Sequence, residues 1–258
     1  MDLKGKNIIL TGASSGIGRD MLNILALYPN VKIVAVARHT ARIPQKEGVV
    51  YPYAADVSSK DGVDNVFNYA QEIFDGGADV FIANAGFAYL EKIDNPDWQH
   101  IENIFNLNVF SPIYSLEKLV AGSNNKKVAF ACTISGAGLV SLPAYSLYCS
   151  TKAALHHFVQ TYRYEQSENL QITAVYPVAT RTEFFDKATG EDNTPLPFPT
   201  QNSQTVAKKI VRGIEKGKGN IYPSLLFRLF FPIGRAFPLF LKIYSGLEKR
   251  KVRKWLRS

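Results

Sequence analysis

Short apolar runs alternate with longer stretches of helical periodicity along most of this chain, and that alternation constrains the fold more than any other feature. The runs at residues 7–11 (NIILT), 31–37 (VKIVAVA), 49–54, 79–83 (DVFIA), 127–134 (KVAFACTI) and 172–176 (ITAVY) are rich in Val, Ile and Ala. A strand with one wet face alternates polar and apolar residues, whereas a near-continuous apolar run is covered on both faces. Between the runs, residues 18–27, 61–74, 98–119 and 145–165 place apolar side chains at helical spacing. This order predicts the α/β class: a Rossmann-like, doubly wound parallel sheet of about seven strands with helices on both faces. Ligands of such a sheet bind beyond the carboxyl ends of its strands.

The first run ends in TGASSGIG, residues 11–18, with glycines at Gly12, Gly16 and Gly18 and a helix directly after. A tight turn that brings backbone N–H groups against a pyrophosphate needs residues without a Cβ, and the helix N-terminus adds partial positive charge. Gly12, Ser14, Ser15, Gly16, Ile17 and Gly18 are therefore the candidate phosphate cradle. The spacing is neither G-x-G-x-x-G nor a P-loop, because no Gly-Lys-Ser/Thr follows.

The second run ends VAVARHTAR. An acid at this point would accept the ribose 2′-hydroxyl of NAD, whereas an Arg suits the 2′-phosphate of NADP. Here Ala37 stands at the expected acid position and Arg38 follows it, which predicts NADP(H) with Arg38 on the phosphate. Arg42 lies nearby and reads as a solvated loop residue.

Three residues farther along fit an acid–base site. Ser135 follows the strand at 127–134, and Tyr148 stands thirteen positions later. Lys152 is one helical turn beyond Tyr148, on the same face. Hydride transfer to a carbonyl leaves an alkoxide that needs a proton. A tyrosine of ordinary pKa about 10 serves in both directions only if its phenolate is stabilised, as an adjacent ammonium does. Ser135 can donate to the developing oxyanion. Tyr145, with Cys149 four residues on, does not have that arrangement.

With these motifs in place, residues 5–222 resemble the short-chain dehydrogenase/reductase family in its single-domain form. TGASSGIG is similar to that family's glycine loop. The resemblance implies that Asp56 and Val57 contact the adenine and that Asn84, Ala85 and Gly86 form the segment closing the fourth strand. It implies that Ser135, Tyr148 and Lys152 are catalytic, with Tyr148 and Lys152 also touching the cofactor. Asn108, by pattern a polar break in a buried helix, would be a fourth catalytic residue holding a proton-relay water. Pro177 and Thr182 would border the nicotinamide. Two departures stand out: Ala83 replaces a common asparagine, and Val178 replaces the glycine of Pro-Gly, although valine resists positive φ. The family also implies a homodimer or homotetramer, formed through helices whose outer faces here carry Phe105, Phe158 and Tyr162.

Residues 1–222 thus form a catalytic domain, with a substrate lid at 183–203 and a helix N-capped by Ser203. Residues 223–258 form an apolar and basic extension interrupted by Pro232, Gly234 and Pro238. Arg228, Arg235, Lys242 and Lys249 recur every seventh residue, and from Lys242 onward seven cations face one acid, which accounts for most of the formal charge of +8. Internal charge and prolines disfavour a membrane span. Three readings of the extension remain: contact with a membrane surface, a cover for the pocket, and packing on a subunit.

The two cysteines, Cys132 and Cys149, have neither disulfide-scaffold nor metal spacing, and adjacent His156 and His157 point to different helix faces, so no metal is expected. The N-terminal run is a short strand rather than a signal peptide, which predicts a cytoplasmic protein, membrane-associated at most through its extension. The expected substrate is a small, lipophilic carbonyl or alcohol, with no nucleic-acid partner. Alternatives within reach of the same fold are a nucleotide-sugar epimerase or dehydratase and a non-enzymatic NADP-binding regulator.

Overall fold

The computed structural model of the chain describes residues 1–189 and 196–255. Seven parallel strands make the main sheet: β1 (Asn7–Thr11), β2 (Lys32–Ala37), β3 (Val50–Ala54), β4 (Val80–Ala83), β5 (Val128–Thr133), β6 (Leu170–Val175) and β9 (Asn220–Ile221). Their order is β3-β2-β1-β4-β5-β6-β9, so the winding reverses beside β1. Helices α1 (Gly16–Leu25) and α7 (Ser203–Glu215) cover one face through Met21, Leu22, Val206 and Ile210. Helices α2 (Lys60–Ile73), α4 (Ser111–Ala121) and α5 (Ser146–Tyr162) cover the other through Val63, Leu116 and Leu155. The doubly wound architecture expected from the apolar runs is the one observed, because every central strand is buried on both faces.

Local departures have physical causes. The helix anticipated at 98–119 is split into α3 (Trp98–Phe105), a π-helical turn (Asn106–Phe110) and α4. The extra residue of a π turn is a device common at functional sites, and this one carries the buried Asn108. Helix α7 begins where Ser203 was placed as its cap, but Asn202 supplies the capping side chain, accepting from the N–H groups of Gln204 and Thr205. Asn202 also closes β8 (Thr200–Asn202), which pairs with β7 (Ala179–Arg181) in a separate two-stranded parallel sheet. That pairing ties the lid to the strand end beside the site. The lid also contains α6 (Phe184–Thr189), and its residues 190–195 lie outside the described residues. Two consecutive helices follow, α8 (Leu225–Ala236) and α9 (Pro238–Trp255), which meet around Phe237 with Gly234 set against Leu241. Among the described residues, no helix is long and apolar enough to cross a membrane.

Candidate active site

A cleft of about 1250 Å³ opens at the carboxyl ends of the strands, where the winding reverses. It is lined at one end by Gly12, Ser14, Ser15, Gly16 and Ile17. Gly12 has φ +70, and a Cβ on Gly18 would collide with the Gly12 carbonyl oxygen, so the turn closes only with glycine at both places. Ser15 leads into α1 without a side-chain cap, and the first turn of the helix holds no acid. The first N–H groups of α1 therefore keep their capacity for an anion, which fits a pyrophosphate.

Arg38, Arg42, Asp56 and Val57 line the same cleft. Burial opposes ionisation of Asp56. The Ser58 N–H (3.0 Å), the Ser58 hydroxyl (2.7 Å) and the nearby Arg38 charge outweigh it and hold the carboxyl below its ordinary range. Arg42 is not merely solvated: it forms a two-pronged ion pair with Glu183 at the start of the lid, Nη1 donating at 2.9 Å.

The floor is a hydrogen-bonded knot that single residues do not announce. The Thr11 hydroxyl accepts from the N–H groups of Asn84 (3.0 Å) and Ala85 (3.1 Å). The Asn84 amide donates to the Thr11 carbonyl (3.3 Å) and accepts from the Thr133 hydroxyl (3.2 Å), so the ends of β1, β4 and β5 are held together. Gly86 follows, and a Cβ there would press on Asn108 Oδ1 at 3.0 Å. Asn108 itself lies behind the cleft wall. It accepts from the Phe87 N–H (3.1 Å) and donates to the Phe87 carbonyl (2.9 Å) and the Thr151 hydroxyl (3.1 Å). Its side chain thus joins the loop after β4 to α5, one residue before Lys152.

Ser135, Tyr148 and Lys152 meet in the middle of the cleft. Ser135 takes φ +108, a conformation that costs a non-glycine residue about 1–3 kcal/mol. Its N–H to the Val175 carbonyl (3.2 Å) and the Gly136 N–H to the Pro177 carbonyl (2.8 Å) hold it there. The Ser135 hydroxyl accepts from the Ala137 N–H at 3.1 Å. Burial pushes the Tyr148 phenol up to about 12, against the opposing influence of the neighbouring Ser135 hydroxyl. Lys152 Nζ donates to the Thr133 carbonyl at 2.9 Å and lies 5.7 Å from the centre of the Tyr148 ring. Desolvation brings the Lys152 ammonium down to about 8. Pro177 and Thr182 border the same space, Thr182 across from Gly16. Val178 does not take a positive φ; its carbonyl accepts from the Thr180 hydroxyl at 2.9 Å, so the loop accommodates valine without left-handed backbone.

Residues 6–193 match the family of short chain dehydrogenases. This chain belongs to that family. An uncharacterised oxidoreductase of Staphylococcus saprophyticus is 30% identical over 203 residues, covering 74% of this chain and 80% of the relative. The 3-ketodihydrosphingosine reductase of Bos taurus is 27% identical, covering 84% and 71%. Among solved structures, a short chain dehydrogenase from Burkholderia cenocepacia in complex with NADP superposes with a TM-score of 0.81 at 19% identity, over 95% of this chain and 99% of that one. A Burkholderia phymatum member in complex with NAD gives 0.79 at 19% identity, over 92% and 95%. These likenesses share the short-chain dehydrogenase fold.

Beyond the anticipated residues, the far end of the cleft is walled by Tyr145, Phe184, Phe227, Phe231 and Tyr244, which sequence reading had not assigned to the site. Phe184 packs on the Tyr148 ring at 5.7 Å and Tyr145 meets it at 6.3 Å. For Phe227, Phe231 and Tyr244 the signal was the aromatic richness of residues 222–246, and for Phe184 the lid at 183–203; Tyr145 gave none.

Proposed function

We propose that the protein is an NADP(H)-dependent oxidoreductase that interconverts a lipophilic ketone and its secondary alcohol, with Tyr148 as the acid–base. The observation that carries this reading is the convergence of Ser135, Tyr148 and Lys152 at the mouth of a glycine cradle suited to a dinucleotide phosphate. When bound, the nicotinamide would supply or accept the hydride. Gly12, Ser14, Ser15, Gly16 and Ile17, with Gly18 closing the turn, would hold the pyrophosphate. Arg38 would hold the ribose phosphate, Asp56 and Val57 the adenine, and the loop 84–86 with Pro177 and Thr182 the nicotinamide end.

In the reducing direction the substrate oxygen accepts hydrogen bonds from Ser135 and Tyr148. As negative charge grows on that oxygen, the Tyr148 proton moves to it, and the Lys152 ammonium stabilises the phenolate left behind. Thr133 fixes the lysine through its carbonyl, and Asn108 fixes the helix register on which both depend. The aromatic wall excludes water and favours an apolar substrate. The bovine relative is named a 3-ketodihydrosphingosine reductase, which agrees with reduction of a ketone.

The test is NADPH oxidation with ketones of increasing chain length. kcat/KM should rise with apolar length, and Tyr148→Phe should lower kcat by several powers of ten while NADPH binding, followed by fluorescence, stays close to that of the unsubstituted protein. Near-normal turnover by Tyr148→Phe would overturn the mechanism.

A further inference from the structure

Helices that pack on a soluble domain normally bury their apolar stripe and show polar residues to water. Helix α9 departs from this. The side turned to the body mixes Leu241 and buried Val252 with Tyr244, Ser245 and Glu248, and its polar groups grip the lid and its surroundings. The Tyr244 hydroxyl donates to the Phe198 carbonyl (2.7 Å), and buried Glu248 accepts from the Phe198 N–H (3.2 Å). The Ser245 hydroxyl donates to the Ser141 carbonyl (3.0 Å), and Lys251 donates to the Leu196 carbonyl. The side turned away carries Leu239, Ile243 and Leu247, all more than half exposed. Helix α8 is apolar except for Arg228 and Arg235. Phe227 meets the Tyr222 ring and Phe231 stacks on Phe227, while Leu229 and Phe230 are 58% and 59% exposed on the outside.

The two outer faces therefore form one apolar surface that no described residue covers. It is continuous with the cleft, because Leu226, Phe230, Ile233 and Phe240 both line the cleft and stand exposed. Its charge says what suits it. Residues 225–253 contain seven cations and one acid, Glu248, and that acid is buried. Arg228, Arg235, Lys242, Lys249 and Arg250 are exposed, and among the described residues none has an acidic partner within ion-pair distance. Two copies meeting through this surface would set cation against cation, whereas anionic headgroups would pair with the basic residues while the leucines and phenylalanines enter the acyl boundary.

We propose that helices α8 and α9 dock on an anionic bilayer surface, and that the cleft opening bordered by Leu226, Phe230, Ile233 and Phe240 is the portal by which an apolar substrate passes from the bilayer into the cleft. The docking stands on these two helices alone; the portal rests on the lipophilic-substrate reading above. Because the inner side of α9 holds the lid at Leu196 and Phe198, the helix that meets the bilayer also sets the position of the lid.

The test uses the full chain with vesicles of phosphatidylcholine alone and of equimolar phosphatidylcholine and phosphatidylglycerol. The protein should sediment with the anionic vesicles and much less with the neutral ones, and added salt should release part of it. Replacing Leu239, Ile243 and Leu247 together by serine should lower the partition coefficient at least about tenfold. The same variant should leave turnover of a short, water-soluble ketone unchanged and slow that of a long-chain ketone embedded in the vesicles. Protein that stays in the supernatant with anionic vesicles, or a triple variant that partitions as before, overturns the docking. A triple variant that only converts a dimer to a monomer assigns the surface to a second copy and also overturns it. Docking without turnover of any long-chain carbonyl overturns the portal and the substrate class while the docking holds.

Discussion

At the scale of single residues, the site depends on the competition between burial and charge. Burial raises the Tyr148 phenol to about 12 and lowers the Lys152 ammonium to about 8, so at neutral pH the free protein holds a protonated phenol beside a cation. As pH rises through about 8, Lys152 loses its charge first, while Tyr148 keeps its proton. kcat/KM for ketone reduction, which reports the free enzyme, should therefore fall on the alkaline side near pH 8, and Lys152→Met should abolish that inflection. A profile that stays flat well above that pH would show that the lysine charge does not matter. At the other end of the cleft, Arg42 is engaged by Glu183, which leaves Arg38 as the chief candidate for the 2′-phosphate. Arg38→Asp should reduce the ratio of kcat/KM for NADPH over NADH at least about tenfold, by removing a charge-assisted contact and adding repulsion. An unchanged ratio would remove Arg38 from the phosphate site.

At the scale of elements, the β1–α1 junction shows how a local motif becomes a binding surface. The strand places Thr11 to hold the β4 loop, the turn needs glycine at two places, and the helix starts without a cap of its own. Gly18→Ala would press a methyl group on the Gly12 carbonyl, which is backbone and cannot swing away. The cost should be about 1–3 kcal/mol, visible as a lower melting temperature, together with weaker nucleotide binding. A melting temperature equal to that of the unsubstituted protein would mean that the turn can open to admit a methyl group. The π turn around Asn108 is a second example: one inserted residue sets the amide against Phe87 and Thr151, where a regular helix would have carried it elsewhere.

At the scale of the whole molecule, two kinds of exposed apolar surface coexist. One is the basic surface of α8 and α9. The other lies on α3 and the π turn, where Trp98 is 80% and Phe110 57% exposed without a comparable run of cations. Phe158 and Tyr162, which the outer-face reading of α5 singled out, stack on each other at 5.5 Å and are half-buried, so Phe110 and Trp98 are the more exposed pair. Exposed apolar residues without a cationic surround suit a second copy of the chain. Sedimentation at micromolar concentration should show at least a dimer, and Phe110→Glu should shift it toward monomer; a monomer at the outset would dismiss this interface.

What was legible in the sequence is what depends on spacing along the chain. Both-face burial of the strands, the glycine turn at a strand–helix junction, and the shared face of Tyr148 and Lys152 follow from periods of two and 3.6 and from the absence of a Cβ. They could be read before any contact was known. The tertiary structure alone decided the rest, because it turns on partners distant in sequence. The Thr133 carbonyl that holds Lys152 is backbone and has no residue-type signature. The pairing of β7 with β8 and the two-residue β9 are too short for periodicity to register. In the extension, composition showed that apolar and basic residues alternate, but not which side of α9 the body would take. That was settled when Tyr244 and Glu248 found the backbone of Phe198, which left the leucines facing outward. A hydrophobic pattern records which residues seek burial; only the assembled fold determines which of them obtain it.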